Sequence, residues 1–136
     1  MKILFINYME TKYPGGINKT VRELAKNLAL KGHDVVVIQP DIYALPDNEN
    51  YEGFRIIRVK SYGFKYFYGF NTSICKYIKK FIKVFSPDLV HVHGCHNIFP
   101  LEAVFYIKKF YPKQKIILSP HLDVASSSWV GEHLWR

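Results

Sequence analysis

A histidine and a carboxylate follow a short apolar run close to the end of the sequence. The segment reads Ser119-Pro120-His121-Leu122-Asp123. A histidine ring can donate to a substrate hydroxyl or phosphate oxygen, and a carboxylate two residues away can orient or polarise that ring. A turn that only caps a strand explains the same residues equally well. We therefore name His121 and Asp123 as candidate catalytic residues and keep the turn as the alternative.

Two adjacent glycines, Gly15 and Gly16, separate an early apolar run from an amphipathic segment. Glycines at such a junction let the backbone amides of a helix N-terminus come close to a phosphate. Asn18 adds a polar side chain at the start of the helix. The pattern matches neither the dinucleotide-binding fingerprint nor the P-loop, so a tight turn is the alternative. We take Gly15 and Gly16 as candidate phosphate-binding residues and Asn18 as a cleft-lining candidate.

A third segment, His91-Val92-His93-Gly94-Cys95-His96, suggests a metal site because imidazole and thiolate bind zinc and copper. On a strand, His91 and His93 point to the same face, but His96 lies beyond a glycine and no distant ligand set is evident. The favoured interpretation is that some of these histidines are buried or line the crevice at the strand end with hydrogen-bonded rings. We predict no metal site and keep His93 as a cleft-lining residue.

Four lysines, Lys76, Lys79, Lys80 and Lys83, surround an apolar stripe in a predicted helix over 74–85. A charged run opposite such a stripe is usually a solvated face. The aromatic segment 62–70 lies next to it, and a cationic face beside aromatic side chains also suits anionic lipid headgroups. Peripheral contact with the inner face of the cell membrane through these lysines is therefore a hypothesis.

Alternating apolar runs and amphipathic segments must position these residues. The predicted strands are 3–6, 34–40, 54–60, 88–94 and 115–119, and the predicted helices begin near 17, 74 and 100. This alternation predicts a Rossmann-like α/β fold, a mostly parallel sheet with helices on both faces in three α/β/α layers. Residues 41–52 are predicted as a loop, and the arginines of the 54–60 strand favour the edge of the sheet.

Composition bounds the class of protein. The 136 residues suffice for one domain, and 49% hydrophobic residues indicate a globular protein. A net charge of +8 favours an anionic partner such as a nucleotide diphosphate or lipid headgroup. Nucleic acid is not expected because no nucleic-acid-binding motif accompanies the charge. Two cysteines in no paired motif, together with no evident leader or membrane span, predict a cytoplasmic protein.

The tail 122–136 differs from the rest of the sequence. Trp129, Val130, Leu134 and Trp135 predict an apolar helix face that stops in mid-turn at Arg136. We expect the domain to be truncated there.

Several segments, in this order, resemble the N-terminal domain of family 4 glycosyltransferases. They are Pro14-Gly15-Gly16, Val21-Arg22-Glu23-Leu24-Ala25, Leu30-Lys31-Gly32-His33-Asp34-Val35, Pro87-Asp88-Leu89-Val90-His91-Val92-His93 and Ser119-Pro120-His121. The resemblance covers essentially the whole chain and implies one half of a GT-B fold. Its signal comes from the order and spacing of the segments, because no single motif is decisive.

The resemblance also implies a function. Family members move a sugar from a nucleotide-sugar donor to an acceptor, with retention of anomeric configuration and without a bound metal or other cofactor. The Gly15-Gly16 loop would approach the donor diphosphate, and His121 would lie near the transferred sugar and the acceptor. The acceptor, a glycan or lipid-linked molecule, would bind chiefly to this domain. A C-terminal donor-binding domain with paired glutamates is absent from the sequence, so residues 1–136 are expected to be inactive alone and to need that domain in cis or in trans.

Other classes of protein remain as alternatives. One is a non-catalytic acceptor-binding or membrane-recruiting subunit of a split glycosyltransferase, which the lysine-rich helix favours. A nucleotide-binding Rossmann domain unrelated to sugar transfer is weakened because Gln39-Pro40 stands where an acidic residue would close the second strand. A receiver-type domain would need an acidic cluster after the first strand, and a corrinoid-binding domain a different spacing of Asp88, His91 and Gly94.

Overall fold

The computed structural model describes residues 1–60, 72–95 and 97–121 of the chain. In chain order the elements are β1 (Lys2–Ile6), α1 (Gly16–Leu30), β2 (Asp34–Asp41), β3 (Asn48–Tyr51), β4 (Phe54–Lys60), α2 (Thr72–Phe85), β5 (Leu89–His93), α3 (Ile98–Phe110) and β6 (Ile116–Ser119). Within the described residues every predicted strand and helix is present, with ends shifted by at most two residues. The helix face predicted in 122–136 lies outside the described residues.

The strands form a single six-stranded sheet in the order β3-β4-β2-β1-β5-β6. All pairs are parallel except β3 with β4. β1 lies between β2 and β5, and its residues 3–6 are buried, as expected for a central strand covered on both faces. The mostly parallel α/β sheet predicted from the sequence is confirmed.

The strand over 54–60 is not at the edge of the sheet, and the loop predicted for 41–52 contains a strand. Residues 48–51 pair antiparallel with β4, so β4 has neighbours on both sides. Glu52 and Gly53 connect the two strands with φ of 47° and 88°. Positive φ at both turn residues is typical of the two-residue hairpin turn that matches strand twist. The polar sequence Asn48-Glu49-Asn50 concealed this strand, because its pairing depends on the hairpin and not on apolar periodicity.

Helices cover both faces of the sheet, which confirms the three-layer arrangement. Val21 and Ala25 of α1 pack on one face, against side chains such as Phe5 and Val37. On the other face α2 and α3 bury a larger cluster that includes Leu4, Ile38 and Val92 of the sheet. Because side chains alternate along a strand, His91 and His93 of β5 lie on the face of Phe5, and their rings contact the Phe5 ring at 5.3 and 5.5 Å.

None of the described helices is long and apolar enough to cross a bilayer. The parallel strands place their carboxyl ends along one edge of the sheet. The segments that follow β1, β5 and β6 therefore meet at adjacent strand ends, since these three strands are neighbours.

Candidate active site

The glycine loop leaves the N-terminus of α1 open. Gly15, the residue before the helix, has φ of 150° and makes no side-chain capping bond, and the first turn contains no acidic residue. A Cβ added to Gly16 would meet no other atom within 4 Å. The first-turn amides therefore have no capping side chain and the space beside Gly16 is open, as an anion-binding helix N-terminus requires.

The buried side-chain amide of Asn7 stabilises the segment that carries the glycine loop. Asn7 follows β1 and is fully buried, and its Nδ2 donates to Met9 O at 3.0 Å, Thr11 Oγ1 at 3.2 Å and Asn18 Oδ1 at 3.3 Å. Asn18 is 3% exposed. The structure thus places Asn18 beneath the glycine loop, where it ties α1 to the end of β1.

A buried ion pair fastens the same loop to the neighbouring strands. Glu10 accepts from Arg58 of β4, with Nε to Oε2 at 2.7 Å and Nη2 to Oε1 at 3.1 Å. Gln39 at the end of β2 donates to Glu10 Oε2 at 2.7 Å, and its Oε1 accepts from Thr11 Oγ1 at 2.6 Å. The ends of β1, β2 and β4 are therefore locked together through charge-assisted bonds.

Acidic partners keep Arg58 charged although it is buried. Desolvation acts to lower the pKa of Arg58, but the hydrogen bonds that Arg58 donates to Glu10 and Glu49 outweigh it and raise that pKa. Glu49 of β3 accepts from Arg58 Nη2 at 2.8 Å and from Lys12 Nζ at 2.8 Å. The hydrogen bond from Lys12, followed by that from Arg58, lowers the pKa of Glu49.

Three histidines lie together at the ends of β5 and β6. His93 Nδ1 and His121 Nε2 are 2.6 Å apart, and the centroids of their nearly parallel rings are 4.9 Å apart. The His91 ring lies 4.1 Å from the His93 ring, and His91 Nε2 bonds to Ser119 Oγ at 2.8 Å. Parallel pairing of His93 with Ser119 brings His121 to this position from 28 residues further along the chain.

Burial makes two of these rings weak bases. Desolvation, followed by the nearby His91 and His121, lowers the pKa of His93 to about 3. Desolvation and then His121 lower the pKa of His91. His93 is therefore neutral at any physiological pH, whereas His121 is exposed at the mouth of the cluster, with φ of 60°.

A close backbone approach links the ends of β1 and β5. Gly94 has φ of 68°, and a Cβ at this position would overlap the Tyr8 ring. Only glycine fits here, since the conformation and the space both exclude a side chain. The segment after β1 and the histidine cluster are therefore held side by side.

A family model described as Glycosyltransferase Family 4 matches residues 14–136. The chain belongs to glycosyltransferase family 4. A solved structure, sucrose-phosphate synthase from Thermosynechococcus elongatus, is similar with a TM-score of 0.64 and 16% identity. That likeness covers 86% of this chain and 31% of the other, so this chain spans under a third of the length of that protein. It supports the GT-B-type Rossmann-like fold.

A second solved structure and the curated proteins were also compared with this chain. A second structure titled sucrose-phosphate synthase from the same organism gives a TM-score of 0.46 at 16% identity, covering 97% of this chain and 84% of the other. No curated protein matches this family 4 chain.

Some predicted site residues of this family 4 domain are brought together and others lie outside the described residues. Gly15, Gly16, His93 and His121 all lie at the carboxyl edge of β1, β5 and β6. Asp123 and His96 are outside the described residues. Within the described part of the chain, no group of three or more histidine, cysteine, aspartate or glutamate side chains could hold a metal ion.

The lysine-rich helix contributes a second concave surface to the domain. A cavity of about 470 Å³ lies between α2 and β4, and Lys60, Lys76 and Lys80 line it together with Asp47 and Tyr77. Lys79 and Lys83 are exposed on the same helix, with Lys79 Nζ 4.8 Å from the centre of the Phe110 ring. Burial of the Tyr77 ring raises the pKa of its hydroxyl.

Sequence reasoning missed Glu10, Gln39 and Arg58. Arg58 occupies an inward position of β4, on the same face as Ile56, and this alternation was the available signal. In the sequence alone, the arginine indicates an edge strand, and that prediction is wrong. An arginine at an inward position predicts a buried acidic partner, and Glu10 is the acid that follows the central strand.

Proposed function

We propose that this chain forms the acceptor-side domain of a retaining glycosyltransferase. The enzyme would move a sugar from a nucleotide-sugar donor to a glycan or lipid-linked acceptor. The observation that carries the proposal is the position of an uncapped helix N-terminus after β1 and an exposed histidine after β6, at the same edge of the sheet with β5 between them. Membership of glycosyltransferase family 4 supports it.

The proposed roles follow from the chemistry of transfer. The bond between the anomeric carbon and the diphosphate oxygen breaks, and the acceptor hydroxyl oxygen forms the new bond to that carbon. The hydroxyl proton passes to the departing diphosphate or to solvent. Backbone amides at Gly15 and Gly16 would balance charge on the diphosphate, and His121 would hydrogen-bond the sugar or the acceptor. The proposal includes no metal or organic cofactor.

Sugar transfer would need a second domain on the other side of the cleft. All the groups assigned above lie on one edge of one sheet, and sugar transfer requires the donor and acceptor to be held from both sides with water excluded. We propose that residues 1–136 are inactive alone and act with a donor-binding domain, in the same chain or in a partner.

The test is a transfer assay on the complete protein from its native source. A panel of nucleotide sugars is incubated with glycan and lipid-linked acceptors, with and without a metal chelator, and proton NMR reports the anomeric configuration of the product. We expect transfer with retention that persists in chelator. Absence of transfer with every donor, or an inverted product, would contradict the proposal.

A second candidate function rests on the exposed lysines of α2. A non-catalytic subunit that binds the acceptor or recruits a partner to the inner face of a membrane would need this cationic surface but not His121. Its signature is membrane binding by the complete protein without transfer activity. Restoration of transfer by a separately produced donor-binding chain would identify it as part of a split glycosyltransferase.

A further inference from the structure

His93 and His121 are joined by a hydrogen bond between their two imidazole rings. His93 Nδ1 and His121 Nε2 lie 2.6 Å apart, with ring planes inclined by 18°. A hydrogen bond between two imidazole nitrogens needs a proton on one and a lone pair on the other. The tautomer of one ring therefore decides the tautomer of the other.

The surroundings of His93 decide where its proton lies. The residue is 1% exposed, and its Nε2 is buried with no hydrogen-bond partner in the part of the chain that the structure describes. Buried N–H groups without an acceptor are rarer in proteins than buried acceptors without a donor. With a pKa of about 3, caused by burial first and then by His91 and His121, the ring is neutral and has one proton. That proton belongs on Nδ1, where it has an acceptor.

The position of the proton on His93 determines the tautomer of His121. If His93 donates from Nδ1, His121 must accept at Nε2, and a neutral His121 then carries its own proton on Nδ1. We infer that His93 is a positioning residue whose Nδ1–H holds His121 as a neutral imidazole with its proton on Nδ1, so that His121 meets a ligand in the cleft as a hydrogen-bond donor. The inference rests on the proposed function, in which His121 contacts the sugar or the acceptor.

The other groups around the pair are consistent with this assignment. Phe5 presents an apolar ring to His93, and His91 uses its Nε2 on Ser119. Among the described residues, no carboxylate is hydrogen-bonded to either ring of the pair. The orienting partner of His121 in this part of the chain is thus an uncharged imidazole and not a carboxylate.

The first measurement needs no ligand. The full chain is labelled with nitrogen-15 in its histidine rings, and two-bond proton–nitrogen correlations report which ring nitrogen is protonated. The signals of His121 are assigned by their loss in His121→Gln. We expect a protonated Nδ1 and an unprotonated Nε2 in His121. A protonated Nε2 in the wild-type protein at neutral pH would overturn the inference without any further variant.

Two substitutions separate positioning from packing. His93→Asn keeps an amide N–H close to the position of Nδ1, whereas His93→Leu has similar bulk and no donor. We expect the His121 tautomer to be kept in His93→Asn and to shift towards Nε2–H in His93→Leu. An unchanged His121 spectrum in a folded His93→Leu protein would contradict the inference.

Kinetics of the complete enzyme connect the tautomer with transfer. We expect His93→Leu to lower kcat by about tenfold or more, with KM for the donor nearly unchanged, and His93→Asn to restore most of the loss. Equal loss in both variants would overturn the positioning role. If the wild-type enzyme transfers no sugar, the proposed function fails, and the nitrogen spectra still decide the tautomer independently.

Discussion

At the scale of single residues, the site depends on two glycines, because a side chain at either position would occupy space that the site uses. Gly16 leaves open space beside the first turn of α1, and Gly94 leaves room for the Tyr8 ring beside the end of β5. The reason for a glycine differs between the two positions. Gly94 is required by packing and by a positive φ, whereas nothing within the described protein requires glycine at position 16. A residue that the fold does not require is a sensitive probe of the ligand.

Gly16→Ala tests the diphosphate role. The added methyl meets no atom within 4 Å, and alanine is the better helix former by about 1 kcal/mol, so stability should stay constant or rise. If the donor diphosphate approaches this backbone, the methyl obstructs it, and donor affinity should fall by about tenfold, or ~1.4 kcal/mol. Calorimetric titration of the complete enzyme and thermal unfolding measure the two effects.

Gly15→Ala provides the contrast. Its φ of 150° disfavours a side chain, and a Cβ would lie 3.3 Å from Asn18 Nδ2. This variant should lose both stability and donor affinity, because the loop itself is strained. Wild-type donor affinity in Gly16→Ala would remove the glycine loop from the proposed site.

The lowered pKa of His93 predicts how stability depends on pH. In the unfolded chain the ring binds a proton near pH 6.5, and in the folded protein only near pH 3. Between these values the unfolded state holds more protons, so the free energy of unfolding falls as the solution is acidified, by about 1.4 kcal/mol per pH unit from this group.

Urea unfolding at pH 7.5, 6 and 5 measures this slope. The difference between wild-type protein and His93→Leu isolates residue 93 from the other titrating groups. The variant should lose less stability on acidification than the wild type. Parallel curves for the two proteins would show that burial of His93 does not control its protonation.

At the scale of elements, a polar network and not the apolar core holds the glycine loop in place. Glu10, in the segment after β1, reaches Arg58 of β4 across β2, and Gln39 of β2 lies between them. Thus the carboxyl ends of three strands carry a continuous set of buried polar contacts. Such networks are stable when every member is satisfied and fail when one partner is removed.

Glu10→Gln tests the network. The substitution keeps the shape of the side chain. Among the described residues it leaves the charge of Arg58, which is 3% exposed, with Glu49 as the remaining acidic partner. We expect a loss of roughly 3 kcal/mol in the free energy of unfolding, towards the lower end of the range for broken buried pairs. Chemical denaturation measures it.

The matched control is Glu52→Gln, which removes the same charge from the exposed pair of Lys26 and Glu52 at 3.0 Å. Solvent screens that pair, so its loss should cost far less. Equal destabilisation by the two substitutions would mean that the Glu10–Arg58 pair contributes no more than a surface contact.

At the scale of the whole molecule, positive charge is spread unevenly over the surface. The chain carries +8 at neutral pH, and α2 places four of its lysines, Lys76, Lys79, Lys80 and Lys83, in exposed positions. Two of the four also line the cavity beside β4. The same surface therefore suits an anionic acceptor, an anionic membrane, or a lipid-linked acceptor that combines both.

Reversal of Lys80 and Lys83 to glutamate tests the membrane hypothesis. Each lysine near an anionic surface contributes about 1 kcal/mol, so the double variant should partition at least about tenfold less onto vesicles with 30% phosphatidylserine. Co-sedimentation at low and high salt measures the effect. The control is Lys113→Glu with Lys115→Glu, an equal change of charge at exposed positions outside α2. An equal decrease in both double variants would mean that net charge, and not α2, governs binding.

Local patterns in the sequence determined the order and kind of most elements. The apolar runs at 3–6 and 34–40 and the stripe of α2 each predict burial over a few neighbouring residues, and these predictions are confirmed. The arrangement of the sheet follows from connection rules, because parallel strands joined by helices leave few alternatives. The family resemblance, which rests on the order of short segments, is confirmed by the match over residues 14–136.

Only the tertiary structure decided which distant side chains meet. The Glu10–Arg58 pair joins residues 48 apart in sequence, and the His93–His121 bond joins residues 28 apart. The β3–β4 hairpin gives β4 a neighbour on each side, so Arg58 does not lie on an edge strand as the sequence predicts. The hairpin follows from a turn conformation and not from hydrophobic periodicity. Periodicity reports burial along one strand or helix, whereas these contacts depend on the register between strands, which no local pattern contains.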